Sequence, residues 1–141
     1  SSGRAKGCSA AFRLPLMSNV RPRVLYPFRF GVNMAFPHAV PGEARSVLPL
    51  GQALPTQQTH ALFKSTDLEV LRLVLQAGQS LPDHTVRGEI TIQCIEGELL
   101  IRVEGEPHIL KAGSLLFLAG GQSHGVQANE ASSALVTIAL K

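Results

Sequence analysis

The chain has 141 residues with a formal net charge of +3, and 45% of its residues are hydrophobic. That is a single-domain length, able to bury roughly two-thirds of its unfolded surface, and no apolar run approaches the ~20 residues of a membrane helix. Thirteen Gly, nine Pro, few aromatics and no Trp suit an all-β domain with many turns.

The charge is uneven along the chain. Up to Gly42 there are six basic residues (Arg4, Lys6, Arg13, Arg21, Arg23, Arg29) and no acidic one. From Glu43 onward seven basic and ten acidic residues give a balance of −3. The high isoelectric point therefore belongs to the N-terminal part. Its basic residues are scattered singly, so neither a nucleic-acid nor a membrane partner is expected. Cys8 and Cys94 are the two cysteines. They form no CxxC pair and no disulfide framework, which suits a reducing, cytoplasmic compartment.

Residues 1–44 read as a basic, Pro-rich extension, punctuated by Pro15, Pro22, Pro27, Pro37 and Pro41. Proline at that density argues against a helix, and no apolar stretch has signal-peptide length. The segment is expected to be poorly ordered, or to be sequence upstream of a start at Met17 or Met34. The alternate apolar residues of Val24–Val32 carry a second reading, an edge strand added to this barrel or to a neighbouring subunit.

The folded domain is expected over residues 45–141. Ser46–Leu54, broken by Pro49 and followed by Pro55, reads as a short edge strand. His60–Ser65 reads as a second strand. Leu68–Gln76 fits both helical and strand spacing. Its shortness and the closing Gly78 and Pro82 favour strand, with Leu71, Leu73 and Leu75 on one face and Val70, Arg72 and Val74 on the other. Apolar residues on both faces imply burial on both, and hence a homodimer. Glu89–Ile95 is rich in β-branched residues. Glu96-Gly97-Glu98 turns it into Leu99–Val103, and Gly105-Glu106-Pro107 turns again into His108–Lys111. Ser114–Leu118, His124–Ala128 and Leu135–Leu140 complete about ten short strands with no convincing helix. Closing such strands into a two-sheet barrel protects their edges. No P-loop, dinucleotide fingerprint, zinc spacing or nucleophile elbow occurs.

Two stretches then stand out. In Gly78–Gly97, Gly78 is followed after five residues by His84, and Gly97 closes the stretch. In Gly113–His124, Gly113, Gly121 and His124 recur at fixed spacing. This pattern resembles the two motifs of the cupin family, Gly-five-His-x-His with a later Glu and Gly, and Gly-five-Pro-x-Gly-two-His. The resemblance covers residues 46–141. It implies an all-β, cupin-type jelly-roll barrel of two packed antiparallel sheets, here a small single-domain barrel with degenerate metal motifs.

In the family, two His and a Glu of the first motif and a His of the second hold one divalent metal. Residue by residue, only His84 and His124 carry over. Val86 stands at the second His position and Ile90 at the Glu position, while Ala119 and Ala128 replace the Pro and Asn of the second motif. The resemblance thus implies His84 and His124 as metal ligands for Fe, Mn, Ni or Zn. Glu89 and Gln93 are candidate further donors, Glu89 through a bulge at Arg87-Gly88. Cys94 is read mainly as a small buried residue. Val86, Ile90, Ile92, Cys94 and Phe117 are expected to fill the barrel and line an apolar ligand pocket at its mouth. His38, His60 and His108 lie outside both motifs.

The leading expectation is a barrel that binds a small, weakly polar molecule, with or without a divalent metal and without assured catalysis. The alternatives are a metal-dependent oxygenase or isomerase using His84 and His124, and a structural module that pairs through its outer sheet.

Overall fold

The structure, a computed structural model, describes residues 37–141. The strand proposed at Val24–Val32 and the rest of the extension up to residue 36 lie outside the described residues. Nine strands follow in chain order: β1 (His60–Lys64), β2 (Leu68–Leu75), β3 (Ser80–His84), β4 (Ile90–Glu96), β5 (Glu98–Val103), β6 (Glu106–Lys111), β7 (Leu115–Leu118), β8 (His124–Ala128) and β9 (Ser132–Ala139). They form two antiparallel sheets, ordered β1-β2-β9-β4-β7 and β3-β8-β5-β6. This is the expected two-sheet barrel.

The core lies between the sheets. Leu71, Leu73 and Leu75 of β2 face Ile90, Ile92 and Cys94 of β4 across β9, whose Ala134, Val136 and Ile138 share that face. The other sheet contributes Leu99, Ile101, Leu110, Val126 and Ala128. The period-two alternation of these residues is what a strand with one buried face requires. Gly97, in the β4–β5 turn, combines a positive φ of 83° with a backbone approach that leaves no room for a Cβ against Ala131 and Ser132. Only glycine satisfies both demands.

Three elements differ from expectation. Ser46–Leu54 is not a strand. It is irregular up to Leu50 and then a short 3-10 helix over Gly51–Thr56. Pro49 and Pro55 remove two ladder donors, and Glu96 captures the next ones. Its carboxylate accepts the amides of Leu50 (2.8 Å) and Gly51 (3.0 Å), together with the Ser133 hydroxyl (2.6 Å). β3 occupies residues expected to close a turn. Pro82 is accommodated because β3 is an edge strand, with a register irregularity between Leu81 and His84. Pro107 is tolerated in the same way in β6, the opposite edge.

The burial of both faces of β2 arises within the chain. Segment 46–59 meets its outward face. Arg72 donates to the Ser46 carbonyl (3.4 Å) and the Ser133 hydroxyl (3.3 Å). The Thr59 hydroxyl bridges the main chain of Val74, accepting from its amide (2.9 Å) and donating to its carbonyl (3.2 Å). Segment 46–59 thus covers the outward face of β2 within the chain. The most exposed apolar residues of the sheet are Leu115 (64% exposed) and Phe117 (58%) on β7.

Candidate functional site

His84 ends β3 and His124 begins β8, and the two are paired across the sheet. Cross-strand partners place side chains on the same face. The rings stand 4.5 Å apart between centroids, tilted by 54°. The motif spacing therefore does bring the two histidines together. His124 is buried, with 4% exposure, and His84 is half-buried.

Each ring makes the same contact with its own chain. His84 Nδ1 lies 2.9 Å from the Pro82 carbonyl, and His124 Nδ1 lies 3.1 Å from the Gln122 carbonyl. A carbonyl oxygen only accepts, so each Nδ1 carries the hydrogen and each neutral ring offers an Nε2 lone pair. Among the described residues, no hydrogen bond from the protein reaches either Nε2. Burial lowers the pKa of both rings, against the opposing pull of those carbonyls and of Asp83. For His124 the neighbouring His84 adds to burial and brings the value down to about 4. Both rings are neutral at physiological pH.

The row of paired residues continues from His124 to Val103 on β5 and then to Glu106 on β6. The next row inward is Val126, Ile101 and His108. Glu106 and His108 share the inward parity of the row but are exposed, because β6 is the sheet edge. The Val103–Glu106 end of the His124 row was not picked out from the sequence. It follows only from the register of the β5–β6 hairpin. On the other side of the sheet Asp83 pairs with Arg102 (3.5 Å). A Cβ on Gly125 would run into the Asp83 carboxylate, so glycine there makes room for that pair.

The residues at the other two family ligand positions do not fit a metal. Val86 and Ile90 are buried members of the core, and neither carries a donor. Glu89 is exposed, in the loop between β3 and β4, and only its carbonyl is engaged, by the Ala139 amide (2.9 Å). No bulge turns it inward. Gln93 is exposed on the outward face of β4, opposite in parity to Ile92 and Cys94. Cys94 is fully buried and inward, but it lies four residues along β4 from Ile90, about 13 Å at strand rise. Its thiol sits by the carbonyls of Glu96 (3.5 Å) and Gly97 (3.7 Å), and burial raises its pKa. Among the described residues no three of His, Cys, Asp or Glu gather to hold a metal ion.

Of the expected pocket residues, Val86, Ile90, Ile92 and Cys94 are inside. Phe117 is outside. The register Ile92↔Leu116 and Ile90↔Leu118 turns Leu116 and Leu118 inward, and so turns Leu115 and Phe117 out. His38 and His108 are exposed, and His60 is half-buried on β1, away from the pair.

Fold and motif geometry agree with sequence comparison. Residues 71–140 match the cupin domain model, and the barrel is a member of the cupin family. A conserved Streptococcus pyogenes protein of unknown function shares 21% identity over 77% of this chain and 96% of its own, with a TM-score of 0.60. An RmlC-like cupin from Shewanella frigidimarina gives 20% identity over 59% of this chain and 75% of its own, with a TM-score of 0.56. A Thermus thermophilus protein reaches 30% identity over 59% of this chain and 84% of its own, with a TM-score of 0.51. No curated protein matches the sequence significantly. No helix among the described residues is long and apolar enough to cross a membrane.

Proposed function

We propose that this cupin barrel binds a small, largely apolar molecule at the His84–His124 pair, and that it does so without a resident metal. One observation carries the reading. Two neutral imidazoles stand side by side at 4.5 Å within an apolar interior, while Val86 and Ile90 fill the places of the other two family ligands. A pocket of apolar walls with a few convergent polar atoms is the usual form of a small-molecule site.

A second reading has one observation in its favour. Both Nε2 lone pairs are available, as a metal-bound imidazole requires, so a metal-dependent oxygenase or isomerase would draw on these two histidines. Two protein ligands are too few to retain a metal tightly. Elemental analysis of untagged protein decides between the readings. The expected result is well under one equivalent of Fe, Mn, Ni or Zn per chain. Near one equivalent, lost in the His84→Ala/His124→Ala variant, would reject the metal-free reading.

A further inference from the structure

We infer that the occupant of the His84–His124 pair is a neutral molecule that donates two hydrogen bonds, a diol or hydroxyarene on an apolar frame, and that carboxylates and phosphates are disfavoured there. The inference rests on the proposal that this end of the barrel is a ligand site, and it specifies the ligand's polarity.

The starting point is an unsatisfied buried atom. His124 is 4% exposed, and its Nε2 has no protein donor among the described residues. A buried acceptor left without a partner costs roughly 1–3 kcal/mol, and such groups are rare in folded proteins. Its half-buried neighbour His84 presents the same atom, also without a protein donor among the described residues. The two Nδ1–H groups are already committed to the carbonyls of Pro82 (2.9 Å) and Gln122 (3.1 Å). Those contacts fix the tautomer, so the side chains of the pair can only accept. A ligand must therefore bring the hydrogens, one for each ring.

The surroundings select against negative charge. An anion would set its own lone pairs against two others and lose its hydration without gaining a donor. The charged side chain that acts on both rings is Asp83, which is itself negative. The cation that answers it, Arg102, is engaged with it at 3.5 Å. Val103 stands beside His124 in the same row, followed by the acidic Glu106, and Val86 and Ile90 belong to the apolar core. His84 is the half-buried, more accessible member of the pair. The inferred ligand thus carries two O–H groups, one for each ring, on a frame that gains by leaving water.

The test uses the full chain, treated with chelator, with its histidines labelled in 15N. Long-range proton–nitrogen spectra report which ring nitrogen bears the hydrogen. For both histidines the free lone pair is expected on Nε2. Resorcinol and catechol are then titrated against benzoate and phenyl phosphate, which share the ring but carry an anion. The diols are expected to shift both Nε2 resonances and to bind at least tenfold tighter than the anions, and His84→Asn is expected to abolish that preference. A lone pair on Nδ1 in either ring overturns the inference without recourse to any variant. Benzoate binding as tightly as resorcinol overturns it too, while leaving the ligand-site proposal standing. If neither class binds up to its solubility, the inference and the proposal fall together.

Discussion

Lowering the pH should destabilise this barrel through one residue more than any other. His124 is buried and its pKa is about 4, against 6.5 for an unperturbed imidazole. The folded pKa is the depressed one, so the unfolded chain takes up a proton that the folded chain refuses. The contribution is complete above pH 6.5 and is lost as pH falls towards 4. The difference of 2.5 units amounts to about 3 kcal/mol over the whole window, and about 2.5 kcal/mol of it is gone by pH 4.5. Against a domain stability of roughly 5–15 kcal/mol that loss is large. His84 shifts in the same direction and adds to it. Urea unfolding of the metal-free protein at pH 7.5 and 4.5 measures the effect. His124→Asn keeps a donor for the Gln122 carbonyl but cannot titrate, so it should lose most of the pH-dependent fall. If the variant loses as much stability between the two pH values as the wild type, the linkage assigned to His124 is wrong.

Glu96→Ala should destabilise the barrel by about 2 kcal/mol, because three donors lose a charged acceptor. Glu96→Gln, which keeps one carbonyl oxygen, should lose less. Burial works to raise the Glu96 pKa, but the Ser133 hydroxyl, the Leu50 and Gly51 amides and Arg72 outweigh it and hold the pKa below the usual range. In either variant hydrogen exchange should quicken at Leu50 and Gly51, and unchanged protection there would show that the carboxylate does not anchor the segment. We further propose that Leu115 and Phe117, side by side on the outer face of β7, are the contact through which two copies pair. Sedimentation of the wild type should give a dimer, and Leu115→Ser/Phe117→Ser should give a monomer. A wild-type monomer at tens of micromolar removes that proposal.

Much of the barrel could be read from the sequence because its punctuation is chemical. Gly97 and Gly113 adopt positive φ, and the β-branched residues Ile90, Thr91 and Ile92 lie between them and the first histidine. The spacing of His84 and His124 anticipated their meeting because each lies a few residues from its own positive-φ turn glycine, Gly78 before β3 and Gly121 before β8. The facing of β7 was not legible. Leu115, Leu116, Phe117 and Leu118 are all apolar, so no alternation marks the inward side, and only the register with β4 settles it. β3 was hidden by Pro82, which is admissible only at a sheet edge, and edge position is a property of topology. The buried Arg72 and Glu69 were equally obscure. Arg72 is matched by Ser46, distant in sequence, and Glu69 by Lys64 across the β1–β2 pair at 3.5 Å.

Glu96 also ties chain upstream of the family match to the barrel. The region shared with the family begins at residue 71, yet the β4 carboxylate reaches back to Leu50 and Gly51, and Arg72 reaches Ser46. A fragment cut at the family boundary would lack β1 and leave β2 as a bare sheet edge. One cut just before β1 would strip the amides from Glu96 and the carbonyl from Arg72. The chain that contributes to the barrel therefore begins at or before residue 46, and the Ala39 amide, bonded to the Leu62 carbonyl of β1 at 2.8 Å, carries it further back. Truncation, fusion or domain grafting should respect that upstream chain, not the place where sequence similarity begins.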